Sequence, residues 1–146
     1  MGSVFLVIFA CSFGLVKPTD SEADRIQGIW FNAKDSQTIE IYKVENNSME
    51  YVYAGKIVGL SEANKNKSDK NNADTLQRNK PLIGLLILSG FMYDKEAQEW
   101  SGGLIYDPAS GKKQSAYILL NGLELNIREF KGIGMIGKTS AWKRKN

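Results

Sequence analysis

The sequence predicts an all-β fold, an eight-stranded up-and-down antiparallel β-barrel. Three observations predict it. Eight short runs rich in β-branched and aromatic residues recur along the chain, each bounded by turn residues. Nearly all the connections between them are short. No helical apolar period is sustained anywhere. Closing such a series into a barrel removes its exposed edges.

The first strand is expected at 28–33, GIWFNA, and the second at 37–44, QTIEIYKV, with Lys34-Asp35-Ser36 as the turn between them. Glu45-Asn46-Asn47-Ser48 is the next turn, with Asn47 suited to a left-handed conformation. The third strand, 49–60, contains Gly55, which marks a bulge or bend. From Pro81 the remaining strands are expected at 83–93, 98–106, 113–120, 123–130 and 135–144. Gly102-Gly103 in the fifth signals a bend or close backbone approach, and Asp107-Pro108-Ala109-Ser110-Gly111 is the turn that follows. Asn121-Gly122 is a hairpin signal, because both residues tolerate positive φ. The seventh strand has the clearest alternation: Leu123, Leu125 and Ile127 on one face, Glu124, Asn126 and Arg128 on the other.

A chain of 146 residues with 42% hydrophobic residues suits one domain, expected at 26–146. Ahead of it, 1–16 reads as an apolar leader and 17–25 as a polar linker. The leader fits a secretory signal peptide, or a lipoprotein leader that would attach lipid at Cys11. Residues 61–80, SEANKNKSDKNNADTLQRNK, interrupt the strands with a long Asn- and Lys-rich loop, expected as a solvated excursion over one barrel mouth.

Composition narrows the chemistry. There is no histidine, which removes the commonest general base and metal ligand. Cys11 is the single cysteine and lies in the leader, so no disulfide, thiolate zinc site or cysteine nucleophile is expected downstream. A net charge of +3 spread along the chain argues against nucleic acid. Asp69-x-Asn71-x-x-Asp74 offers oxygen ligands but lacks the glycine and terminal glutamate of a calcium loop. No enzyme activity, metal or cofactor is expected.

Several motifs in order carry a resemblance. They include Gly28-x-Trp30, Gly55-Lys56-Ile57-Val58, Asn72-Ala73-Asp74, Pro81-Leu82-Ile83-Gly84, Trp100-x-Gly102-Gly103, Ile105-Tyr106-Asp107-Pro108-x-x-Gly111, Leu125-x-Ile127-Arg128, Gly137-x-Thr139 and Trp142-x-Arg144. Together these resemble the DUF2147 family of exported bacterial proteins, over about residues 26–144. The resemblance implies a lipocalin-like, calycin-type barrel and a periplasmic or secreted location. It supplies no active site.

Candidate residues follow. Gly28-x-Trp30 is similar to the lipocalin pattern in which a tryptophan closes one barrel end beneath a basic residue; Arg144, or alternatively Arg128, is the partner expected here. Gly28, Trp30, Trp142 and Arg144 are thus assigned to barrel closure. Trp100, Tyr106, Tyr117 and Trp142 are candidates to line the interior or its mouth, with core packing as the plainer role. Arg128 either faces inward, against Asp107, Glu124 or a bound anion, or is a surface arginine; Lys56 raises the same question. The expectation is an exported protein binding a small lipophilic or amphipathic ligand through Trp100, Tyr106, Tyr117, Arg128 and Asp107. The alternative is an envelope structural or interaction module with a packed barrel.

Overall fold

In the computed structural model, eight strands close on themselves: β1 (Gly28–Asn32), β2 (Gln37–Glu45), β3 (Tyr51–Leu60), β4 (Leu86–Asp94), β5 (Glu99–Asp107), β6 (Lys112–Asn121), β7 (Glu124–Phe130) and β8 (Gly137–Arg144). Each pairs antiparallel with the next, and β8 returns to β1 through Trp30 opposite Arg144 and Phe31 opposite Lys143. The structure describes Gly2 and residues 22–131 and 136–146. The leader with Cys11, most of the linker and Met135 at the start of the last expected strand lie outside the described residues.

Strand alternation builds the core. Successive side chains point to opposite faces, so Trp30, Ile39, Ile41, Ile57, Leu88, Phe91, Ile118, Leu125, Ile127 and Trp142 form one buried interior. Gly103 makes room for the Phe91 ring: a Cβ there would stand 2.5 Å from it. The β5–β6 register shifts between Trp100 and Gly103, with Gly102 at φ 74°, so this glycine pair is a bulge as its sequence suggests. The β3–β4 register likewise shifts around Gly55.

Several details differ from expectation, among them the β6–β7 turn, which is Gly122-Leu123 and not Asn121-Gly122, leaving Leu123 exposed and outside β7. β3 begins at Tyr51 rather than residue 49, because the Asn46 side chain captures the turn: its Oδ1 accepts from the backbone N–H of Ser48 and of Glu50. Met49, not Asn47, then takes the positive φ, at 60°. β4 begins at Leu86, because the preceding residues belong to the long loop, where Leu82 N–H donates to the Lys67 carbonyl.

Up-and-down order gives the barrel two unlike ends. The chain enters at one and carries the turns after β2, β4 and β6 there. The other carries the turns after β1 and β5 and the long segment between β3 and β4.

Candidate functional site

The first end is plugged. Ala23–Ile26, part of the stretch expected as linker, forms a single 3-10 turn whose Ala23 and Ile26 are buried. Two indoles hold it from below: Trp30 Nε1 donates to the Ile26 carbonyl at 2.9 Å and Trp100 Nε1 to the Ala23 carbonyl at 3.1 Å. Tyr53 Oη donates to Asp24 Oδ1 at 2.6 Å, and Lys43 Nζ pairs with the same carboxylate at 2.9 Å. Burial alone would raise the Asp24 pKa, but these two donors outweigh it and hold the carboxyl below its ordinary value. Arg144 completes the closure: its guanidinium lies 4.2 Å from the Trp30 ring centre and donates to the carbonyls of Gln27 and Arg25.

The opposite end is covered by the 61–80 loop, which is tied down rather than merely solvated. Asp69, fully buried, accepts from Tyr106 Oη at 2.7 Å and from Asn72 Nδ2 at 2.7 Å. Asn71 Nδ2 donates to the Ala109 carbonyl, and Arg78 Nε to the Asn72 carbonyl. Gly111, at φ 72°, sits where a Cβ would be 1.9 Å from the Asn71 carbonyl oxygen, so the β5–β6 turn and the loop meet through a glycine. Burial first, then the bond to Asp69, push the Tyr106 phenol far above its ordinary pKa.

At this end, between the core and the turns after β1 and β5, lies a cavity of about 180 Å³. Its apolar lining is Ile87, Ile105 and Trp142, and its polar lining includes Asn32, Gln37, Tyr106, Asp107 and Glu129. Two larger concavities, of about 400 and 440 Å³, share lining residues with it, and Asp107 lines all three. Among the described residues the buried polar or charged side chains are Asn32, Gln37, Asp69 and Glu129. Three of them line this cavity, and the fourth holds Tyr106, which also lines it. The Trp142 indole N–H, alone among the described buried side-chain polar atoms, has no partner. Of the three tryptophans, two spend their N–H on the plug and the third borders the cavity.

The sequence candidates therefore separate. Tyr106 and Asp107 come together at the mouth. Trp100 is in the core at the opposite end, with its N–H committed to the plug. Tyr117 and Arg128 stand opposite each other on the outer wall, so Tyr117 does not line the interior and, of the two readings of Arg128, the surface one holds. Their inward neighbours are Ala116, Ile118 and Ile127, so the period of two turns both outward. Tyr117 packs by the Phe130 ring at 6.3 Å, and Arg128 Nη1 donates to Thr139 Oγ1 at 3.2 Å. Lys56 is half-buried, with its ammonium 5.3 Å from the Tyr42 ring centre. Among the described residues no three His, Cys, Asp or Glu side chains converge as a metal site.

Sequence reasoning passed over Asn32, Gln37 and Glu129. Their signal was phase: Glu129 shares the face of Leu125 and Ile127, Asn32 that of Trp30, and Gln37 that of Ile39 and Ile41. A polar residue in step with a buried row marks the end of the apolar interior.

This geometry has relatives. A solved structure of protein HP1028 from the human pathogen Helicobacter pylori, described as belonging to the lipocalin family, is 25% identical and superposes with a TM-score of 0.67 over 82% of each chain. No curated protein matches the chain. The model of an uncharacterised protein family conserved in bacteria, DUF2147, matches residues 28–144. A match of that extent, over a closed lipocalin-like barrel, means that the chain belongs to the DUF2147 family.

Proposed function

We propose that this protein is an exported binding protein, working in the bacterial periplasm or outside the cell, that holds a small, partly apolar ligand at the mouth of its barrel. The observation that carries this reading is the concentration of buried polar side chains around one cavity with an apolar lining. Burying such groups costs stability unless they are bonded, and a fold that needed only a packed barrel would place apolar residues there. Tyr106 and Asp107 are the ligand-contacting residues among those the sequence suggests, joined by Trp142. Gly28, Trp30, Trp100 and Arg144 serve closure.

Size bounds the ligand. At about 30 Å³ per water, the cavity holds about six waters, below the range of about 300–1,000 Å³ for drug-sized ligands. A compact molecule fills it by itself, and a longer one would have to extend into the adjoining concavities of about 400 and 440 Å³.

Native mass spectrometry of the protein purified from its own host, before and after organic extraction, tests the proposal. An adduct that disappears on extraction is expected. A bare mass, unchanged after incubation with a metabolite and lipid extract, would overturn it in favour of an envelope interaction module. That second reading draws on Met92, Leu104, Leu119 and Phe130, apolar side chains left more than a third exposed on the outer wall.

A further inference from the structure

The charges around the cavity are not balanced in the ordinary way. Glu129 lies in the buried row of β7 at 6% exposure, where a carboxylate needs a close counter-charge or several donors. Its ion pair is with Lys138, at a long 3.4 Å, and that lysine side chain is 55% exposed. The ionisable side chains that line the cavity besides Tyr106 are Lys34, Asp35, Asp107, Glu129 and Lys138, three carboxylates to two ammoniums. Asp35 is already engaged by the Asn32 amide at 2.9 Å, and Tyr106 stays neutral, donating to Asp69. Asp107 Oδ1 accepts from the Ala109 N–H at 3.0 Å inside its own turn, so Glu129 is the chief acceptor a ligand would meet, with the other Asp107 oxygen on the same lining.

Resting on the binding role argued above, we propose that the mouth cavity takes a compact, amino-acid-sized molecule carrying a primary ammonium group. The ammonium faces Glu129 and Asp107, and the apolar body lies on Ile87, Ile105 and Trp142. The ammonium brings the short, charge-assisted bonds that Lys138 does not give Glu129. It also removes the mismatch of a half-compensated buried carboxylate. A plain carboxylic acid of the same shape would bring like charge to the same wall.

Three molecules that share one isopentyl group test this on the full chain by isothermal titration calorimetry: leucine, isoamylamine and 4-methylpentanoate. Leucine and isoamylamine should bind, with 4-methylpentanoate weaker by roughly tenfold or more. Glu129→Gln should erase most of that preference while keeping the shape of the side chain, and Asp107→Asn should reduce it. An acid that binds as tightly as the amine would overturn the proposal, as would a preference that survives both carboxylate substitutions. An extractable native adduct together with no binding of any of the three at millimolar concentration would sink the ammonium assignment and leave the binding role standing. Absence of both adduct and probe binding would remove the two together.

Discussion

The phenol of Tyr106, on β5, donates to the fully buried carboxylate of Asp69, in the long loop, across 2.7 Å. It joins barrel to cover beside the Asn71 amide's bond to the Ala109 carbonyl, and the other donor to Asp69 is Asn72 from the same loop. Tyr106→Phe keeps the ring but leaves the carboxylate short of a donor, which should cost about 1–3 kcal/mol. Urea unfolding should show a lower midpoint, and hydrogen exchange should show faster opening in the loop than in the strands.

The same pair predicts an alkaline limb. The folded Tyr106 pKa is raised, so the native state keeps a proton that the unfolded chain releases above about pH 10. The contribution is complete below that pH and is lost as pH rises through the folded value. Wild-type stability should therefore fall more steeply than that of Tyr106→Phe once pH exceeds about 10. Parallel slopes for the two proteins would exclude the buried phenol as the cause.

Gly111 separates packing from backbone strain when set beside Gly122. Both have positive φ, 72° and 61°, but a Cβ at 122 meets open space while one at 111 lands 1.9 Å from the Asn71 carbonyl oxygen. Gly122→Ala should cost the left-handed penalty alone, about 1–2 kcal/mol. Gly111→Ala should cost clearly more in thermal unfolding and should also loosen the loop. Equal losses would mean that the loop yields freely and is not seated on the turn.

Much of this architecture was legible because it rests on local rules. Alternation marked the strands, and turn chemistry marked the glycine bulge at 102–103 and the presence of the β6–β7 hairpin, whose turn residues are Gly122 and Leu123. The site was less legible, because it depends on contacts between distant segments. Nothing local says that Asp69 reaches Tyr106, 37 residues on, so an Asn-rich loop reads as solvent-exposed when its one buried carboxylate anchors it. Tyr117 and Arg128 look like ligand residues by type, yet their phase relative to Ile118 and Ile127 puts them outside. The same phase, applied to Glu129, points into the barrel. Residue type suggested the chemistry, and register decided which residues could take part.

Asp24 gives the acid counterpart to Tyr106. Its folded pKa is depressed because the Tyr53 hydroxyl and Lys43 ammonium outweigh the burial that would raise it. The stabilisation is present above the ordinary carboxyl value, about 4, and is lost as pH falls through the lower folded value. Asp24→Asn should therefore flatten the acid limb of the stability curve below about pH 4 while lowering stability at neutral pH. An acid limb identical to wild type would show that the carboxylate's pairing does not depend on the fold.

Arg144 ties the last strand to the first and to the plug, stacking on Trp30 and donating to two backbone carbonyls. Lysine has neither the planar fork nor the flat face needed to do all three at once. Arg144→Lys should thus cost about 1–3 kcal/mol despite conserving charge. The loss should be local in character: amide exchange should rise most in residues 23–27, where the guanidinium holds the Arg25 and Gln27 carbonyls, and in β1 beside them. Uniform weakening across the barrel, with residues 23–27 no faster than the rest, would mean that the two indole bonds from Trp30 and Trp100 suffice to seat the plug and that Arg144 acts only through the strand pairing.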